Sequence, residues 1–352
     1  MNDPTELKRN IICNGIGESL WGLVVGLVAT QTVFVVLFRH YGASATMIGA
    51  LAAIETAMFL LPQVAGNYFF SSPRRRKERL LIFHWAVVIP PMFAIGILSW
   101  FGPRLDPVAV RWLLLALFTA GALAGGLAIG SWMEWLSHVF PVQGRGKALG
   151  MGFASSALLN TCGGVIAGTL LKLWPEQPVF LWLYLMAGGA AVCSILAFWF
   201  IRDPSAGDTH DVPPLPFPEL LTHFKASLAE PNFRNYLLGR ILGTAGFTVG
   251  PFIVIHYASA AAGGLRESTI VTLGAVGAIG TMLAHFTLGH LGDRFGHRLG
   301  IIIGTVAQII GLAALIAVPG VTGCSIVFFC AGVSGSAGFL SHYNGCSRRY
   351  FS

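Results

Sequence analysis

Long apolar runs separated by short polar joints govern this chain from end to end. We place ten membrane-crossing helices near residues 11–38, 47–70, 80–101, 110–137, 148–172, 179–201, 236–259, 268–290, 299–319 and 323–343. Each exceeds the roughly 20 residues that cross a hydrocarbon core about 30 Å thick. A membrane barrel would instead show segments of about 10 residues with alternating polarity, and nothing here alternates. The first run is too long for a secretory leader and lacks a cleavage site. One segment breaks the rhythm: residues 202–235 are polar and carry Pro204, Pro213, Pro214, Pro216, Pro218 and Pro231. This divides the chain into a six-helix bundle (1–201), a linker (202–235) and a four-helix half (236–352). Within the linker, Leu220, Leu221, Phe224 and Leu228 share one face of a short helix, expected to lie along the inner membrane surface.

Glycine adds a second pattern. Gly22 and Gly26 stand four apart in span 1, Gly121, Gly125, Gly126 and Gly130 in span 4, Gly164 and Gly168 in span 5, and Gly239 and Gly243 in span 7. Span 10 carries Gly332, Gly335 and Gly338. Such spacing lets helix backbones approach closely. Span 3 has only Gly96, and span 6 carries Phe180, Trp182, Tyr184, Phe198, Trp199 and Phe200. Spans 1, 4, 7 and 10 are therefore expected inside and spans 3 and 6 at the periphery. That period of three helices is an internal repeat of the kind secondary transporters use.

Composition narrows the function. Hydrophobic residues make up 55% of the 352 and charged residues 11%, against about a quarter charged in an ordinary soluble domain. A soluble enzyme and a disordered chain are excluded. The net charge of +7 does not mark a nucleic-acid binder, because the basic residues lie in short joints rather than on one solvated face. Of the 22 Lys and Arg, 16 fall in alternate joints shared with both termini and 5 in the others. The positive-inside rule then puts both termini in the cytoplasm. The six cysteines show no metal-binding spacing and read as packing residues. No phosphate loop, HExxH or GxSxG motif is present, so neither a cofactor nor an enzymatic centre is expected.

Charges inside the runs need a reason, since each costs about 2.5–3.5 kcal/mol at mid-membrane on insertion scales. Glu18, with Asn14 one turn before it and Gly22 one turn after, would line a cavity and carry a proton, or hydrogen-bond a neighbouring helix. Glu55, between Ile54 and Thr56, should face protein or water in a proton or gating role. Glu134 sits beside Trp132 and Trp135, which read as an interfacial belt; it would stay at headgroup level or pair with Arg145. Arg240 would reach the inner surface along its own stem, or pair with Glu18 or Glu134 as an inner gate. His84, His256 and His285 read as helix–helix hydrogen-bonding residues, with His256, just beyond Pro251, also placed for a cavity. Asn160, Gln31 and Gln308 are weaker candidates.

The most specific motif joins spans 8 and 9: Gly289-His-Leu-Gly292-Asp293-Arg294-Phe-Gly296-His-Arg298. Its glycines permit a tight turn, and Asp293 can cap the next helix or pair with a cation across a joint. The pattern G-x-L-x-D-R-x-G-x-R resembles the signature loop of the major facilitator superfamily. Pro141-Val-Gln-Gly-Arg145-Gly146 resembles that family's joint between helices 4 and 5, Arg202-Asp-Pro204 the end of helix 6, and Pro231-Asn-Phe-Arg234 the entry to helix 7. Arg240 resembles an arginine found at this point in one branch. The resemblance implies twelve helices in two six-helix halves, with Asp293 after the second helix of the second half. Two departures follow. The first-half counterpart, around Pro62–Gly66 and Ser71–Arg79, keeps only its basic cluster, as in some bacterial branches. The chain also stops after span 10, so a truncated product lacking helices 11 and 12 is expected rather than a ten-helix protein.

The fold expected is therefore an all-α membrane bundle, six helices followed by an incomplete four. The function expected is a secondary active transporter working by alternating access in a bacterial cytoplasmic membrane. It would be monomeric, with a small-molecule substrate and protons as partners, surrounded by lipid and without nucleic acid. The alternatives are a non-transporting protein on the same scaffold, such as an assembly factor or sensor, and an inactive fragment.

Overall fold

Apolar runs of this length satisfy their backbone groups internally, and helices do so within a single segment. The computed structural model describes residues 4–174, 178–203, 216–295 and 297–347, and among them there are helices and no strands. In chain order these are α1 (Pro4–Leu27), α2 (Val35–His40), α3 (Ala45–Leu60), α4 (Gln63–Phe69), α5 (Pro73–Phe83), α6 (Pro90–Phe101), α7 (Pro107–Val139), α8 (Val142–Leu173) and α9 (Pro178–Trp199). They continue with α10 (Phe217–Ala229), α11 (Pro231–Phe247), α12 (Phe252–Ala258), α13 (Glu267–Phe295), α14 (His297–Ala317) and α15 (Gly320–Ser347). Wide π-helical turns, Thr30–Phe34 and His84–Val88, interrupt the first and third runs. Below, the first group is α1–α9 and the second α11–α15; the linker end of the bundle is the one facing α10, and the far end is opposite.

Starts of helices follow from local chemistry. Ser44 Oγ accepts from the Met47 amide and caps α3, and Asp106 Oδ2 accepts from the Ala109 amide, 3.0 Å away, just before Pro107 opens α7. The linker helix expected along the membrane surface is α10.

The count of spans differs from the expected ten. Among the described residues, eight helical stretches are long and apolar enough to cross a membrane, and Gly320–Ser336 is a shorter apolar one at the start of α15. The expected seventh span divides into α11 and α12, because the chain turns at Val249-Gly250 and Pro251 has no amide to continue the ladder. Span 6 is not peripheral throughout. Phe180, Tyr184 and Phe198 of α9 are buried and only Trp182, Trp199 and Phe200 face outward, because α9 packs on α1 and α6. Ser194 Oγ of α9 donates to the Gly17 carbonyl at 2.7 Å.

Close approach of backbones builds the core of each group. A Cβ at Gly22 or Gly26 of α1 would strike the carbonyls of Ser156 or Asn160 on α8. In the second group, one at Gly332 of α15 would strike the Gly277 carbonyl of α13. There Thr281 Oγ1 donates to the Gly332 carbonyl at 3.2 Å and Ser336 Oγ to the Thr281 carbonyl at 3.0 Å.

The linker end of the first group is stapled. Arg76 Nη1 pairs with Glu134 Oε1 at 2.9 Å and Arg76 Nε donates to the Phe70 carbonyl at 3.0 Å. Lys77 Nζ donates to the Trp199 and Ile201 carbonyls, 2.7 Å each, at the C-terminus of α9. Asn10 exchanges hydrogen bonds with the Arg202 backbone, Arg202 pairs with Glu6, and Trp135 Nε1 donates to Asp203 Oδ2 at 2.8 Å. These contacts correct two expectations. Glu134 pairs with Arg76, not Arg145, because the basic cluster of α5 is brought against the end of α7. Trp132 and Trp135 are buried rather than lying in an interfacial belt, because they pack on Phe198 of α9.

Candidate functional site

The first run is continuously apolar up to Thr30-Gln31-Thr32, three polar residues in the middle of a span. There the helix widens, the Phe34 amide reaching back five residues to the Ala29 carbonyl at 3.1 Å. A widened turn leaves backbone groups short of their usual partners, which a membrane span tolerates where it lines a cavity. A cavity of about 390 Å³ does open beside it, between α1, α3 and α8 of the first group and α13 and α15 of the second. Its polar lining comes from Thr30, Gln31, Thr32, Glu55, Asn160 and Thr281. Much of the remaining wall is glycine, including Gly164, Gly274 and Gly332.

Glu55 stands at the centre of this arrangement. Its half-buried carboxylate accepts a hydrogen bond from the Thr30 hydroxyl. Thr30 and Glu55 also line a second cavity of about 230 Å³, enclosed within the first group by α1, α3, α6, α7 and α9. The pair thus stands between a cleft that separates the two groups and a chamber inside one of them.

The cleft is shut at the far end. Arg39 Nη1 lies 2.8 Å from Glu267 Oε1, and His40 Nε2 lies 3.9 Å from Glu267 Oε2. Below that pair, Gly168 of α8 abuts Thr272 of α13, and a Cβ at Gly164 would stand 3.1 Å from the Ala275 methyl group. The Gln31 side chain rests on Gly250, where α11 breaks from α12, and Gln308 rests on Gly246. Nearer the linker end, Phe153 of α8 stacks on His285 of α13 with ring centroids 6.0 Å apart.

The other candidates lie elsewhere. Glu18 and Asn14 are inside the first group, outside the lining of both cavities. Trp132 donates its indole N–H to the Glu18 carboxylate, and the Asn14 amide donates to the Ala148 carbonyl at 3.5 Å. Both side chains press on Gly152, where a Cβ would come within 2.6 Å of Asn14 Nδ2. His84 lies against the same Trp132 ring at 4.9 Å and holds the Leu80 carbonyl at 2.7 Å. His256 stacks edge-on with Tyr257 at 5.0 Å and also lies outside both linings. Pro141 opens α8, and Arg145 donates through Nε and Nη2 to the Phe140 carbonyl, 3.4 Å each. Of the signature loop, Gly296 lies outside the described residues. So do the side-chain positions of Gly289, Gly292, Asp293, Arg294 and Arg298, and those of Gly146 and Arg240. The far-end pair Arg39–Glu267 was not anticipated, although Arg39 is one of only five basic residues in the far-end joints.

The comparisons with known proteins bear on this geometry. A model of the Major Facilitator Superfamily matches residues 12–352. Among solved structures, a nucleoside transporter, NupG, aligns with a TM-score of 0.61 at 16% identity, over 94% of this chain and 81% of that one. The E. coli xylose transporter XylE, in a partially occluded inward-open conformation, gives 0.59 at 14% identity, over 97% and 85%. A bacterial homologue of the iron transporter ferroportin, inward-facing, gives 0.54 at 15% identity, over 98% and 83%. No curated protein sequence matches this one.

Proposed function

The chain belongs to the major facilitator superfamily and is an integral membrane transporter, and we propose that it carries a small solute by alternating access through the cleft beside Glu55, coupled to protons. The observation that carries this reading is the placement of Glu55. A carboxylate in the middle of a span is costly, and this one faces a polar cavity between two helix groups rather than another chain-internal cation. The glycine-rich walls of α8, α13 and α15 let the groups slide and tilt on one another. We read the far end as the outside of the cell, because the basic residues concentrate at the other end. The Arg39–Glu267 pair and the Gly168–Thr272 contact then close the cleft outward, and the cleft is reached from the cytoplasm, where both termini lie. Solute and proton compete for Glu55: the proton neutralises the carboxylate for the return of the empty cleft, and the solute displaces it.

The solved relatives carry different cargoes by name, nucleosides, xylose and, for a homologue, iron. The cargo of this chain has therefore to be read from its own lining. Glu18 serves the interior of its own group in this reading, since its carboxylate is already held by Trp132. The test is reconstitution in liposomes with an internal pH dye and a panel of added solutes. Glu55→Gln should abolish solute-driven proton movement and Glu18→Gln should retain it. Unchanged proton movement in Glu55→Gln would overturn the assignment of the coupling group.

A further inference from the structure

The chamber inside the first group has a composition unlike that of the cleft. Rings stand on it from four sides: Trp21 from α1, Phe34 from the wide turn, Phe59 from α3, Phe118 from α7 and Tyr184 from α9. Its one acidic group is Glu55, and no Lys, Arg or His lines it among the described residues. The α7 wall leaves space unfilled. A Cβ at Gly125 would meet nothing within 4 Å, and one at Gly121 only the Pro91 ring, at 3.7 Å. An acidic oxygen at the mouth of an aromatic box, with no positive side chain to satisfy it, is complementary to one class of ligand. The faces of Trp, Tyr and Phe carry negative potential and hold ammonium groups, quaternary ones above all. An anion would meet that same potential and the carboxylate unfavourably.

We infer that this chamber binds the apolar body of a small organic cation, with the charged nitrogen seated between the rings and the Glu55 carboxylate. Because Thr30 and Glu55 also line the cleft, a ligand so bound presents its nitrogen at the passage between the two groups. The inference deepens the transport reading by naming a substrate class, and rests on that reading for the passage though not for the binding. Loss of a proton by Glu55 and arrival of the cation leave the charge of the site balanced at every stage.

The experiment uses the full chain in lipid nanodiscs and isothermal titration with phenyltrimethylammonium, tetramethylammonium and benzenesulfonate. Saturable one-to-one binding of phenyltrimethylammonium is expected, at least tenfold tighter than that of tetramethylammonium, which lacks the ring, and with none for benzenesulfonate. Glu55→Gln should weaken phenyltrimethylammonium at least tenfold. Gly125→Leu, which fills the chamber without touching Glu55, should weaken it equally while leaving tetramethylammonium unchanged. Should Gly125→Leu fail to fold, Phe59→Leu tests the same wall at a position already 42% exposed; about threefold weaker binding is expected. No binding to the unaltered chain, equal binding of benzenesulfonate, or indifference to the chamber variants would overturn the proposal. Binding of phenyltrimethylammonium without solute-driven proton movement leaves this inference standing and removes the transport reading. Proton movement driven by other solutes, with no such binding, does the reverse.

Discussion

The cleft and the chamber share Thr30 and Glu55, but the material around that pair differs. The cleft is walled by glycine and small polar residues from both helix groups, so its shape depends on how the groups stand to one another. The chamber is walled by large rings from a single group. That group is tied at its linker end by Arg76–Glu134, Lys77 on the end of α9 and Asn10 on Arg202. One cavity is thus made to open and close, and the other to keep its form while that happens. A carboxylate common to both can report the state of the moving space to a ligand held in the fixed one.

The sharpest way to break this contrast is to force the cleft apart and ask whether the chamber notices. Gly168→Val places a branched side chain against Thr272, whose backbone nitrogen would be 2.8 Å from the new Cβ. Overpacking of this kind costs about 1–3 kcal/mol, which is roughly 5- to 150-fold in the ratio of closed to separated groups. Spin labels at Ala43 and Ser268 should show a longer distance dominating, while phenyltrimethylammonium affinity stays within about twofold. A large loss of affinity would mean that the chamber moves with the cleft.

Next in size is the opposite change, loosening the fixed cavity. Arg76→Ala removes the partner of Glu134 and the hydrogen bond to the Phe70 carbonyl, at a cost of about 1–3 kcal/mol. Chemical denaturation should show it, and a double-mutant cycle with Glu134→Ala should return less than about 1 kcal/mol of coupling, since Glu134 is half exposed. Cation binding should fall in Arg76→Ala, whereas the label distance of the cleft should not change.

A smaller effect is expected from Arg39→Ala, which opens the far-end pair with Glu267. Exposed pairs contribute about 0.2–1 kcal/mol, so separated groups should gain by roughly 1.4- to 5-fold. In the unaltered chain, raising the salt concentration should reproduce part of that shift. Insensitivity to both would remove the pair from the closure of the cleft.

The smallest effect belongs to the joint just beyond Arg39. Tyr41 donates to the Ser99 carbonyl at 3.1 Å, and burial raises its phenol above the ordinary value of 10.0. A group whose folded pKa is raised lends stability that is complete below its unfolded value and lost as pH rises through the folded one. Melting temperatures should therefore fall above pH 10, and Tyr41→Phe should flatten that limb. An unchanged alkaline limb would assign it to other groups.

Much of this arrangement could be read along the chain. Gly22, Gly26, Gly164, Gly168 and Gly332 were expected at close approaches and are found there, because backbone contact in a membrane bundle demands small residues at fixed spacing. Glu55 stood out because a charge in an apolar run has few inexpensive places to go. What the pattern hid follows from its own limits. A run with no polar stripe carries no phase, so the widened turn at Thr30–Phe34 left no mark. Hydropathy summed across Gly250-Pro251 counted one span where the backbone makes two helices. Trp132 and Trp135 resembled an interfacial pair because a window of sequence does not show which helix will cover them. The partner of Glu134 lay 58 residues away along the chain, and only packing of α5 on α7 selects Arg76 over Arg145.

The widened turn has a consequence for chain length. An α-helix advances about 100° and 1.5 Å with every residue, so the extra residue accommodated at Thr30–Phe34 sets the azimuth of everything beyond it. Excising a single residue there would swing Arg39 about a quarter-turn away from Glu267 while Asn14, Glu18 and Gly22 kept their bearings. The turn therefore acts as the joint at which the far segment of this rod is indexed against its partner.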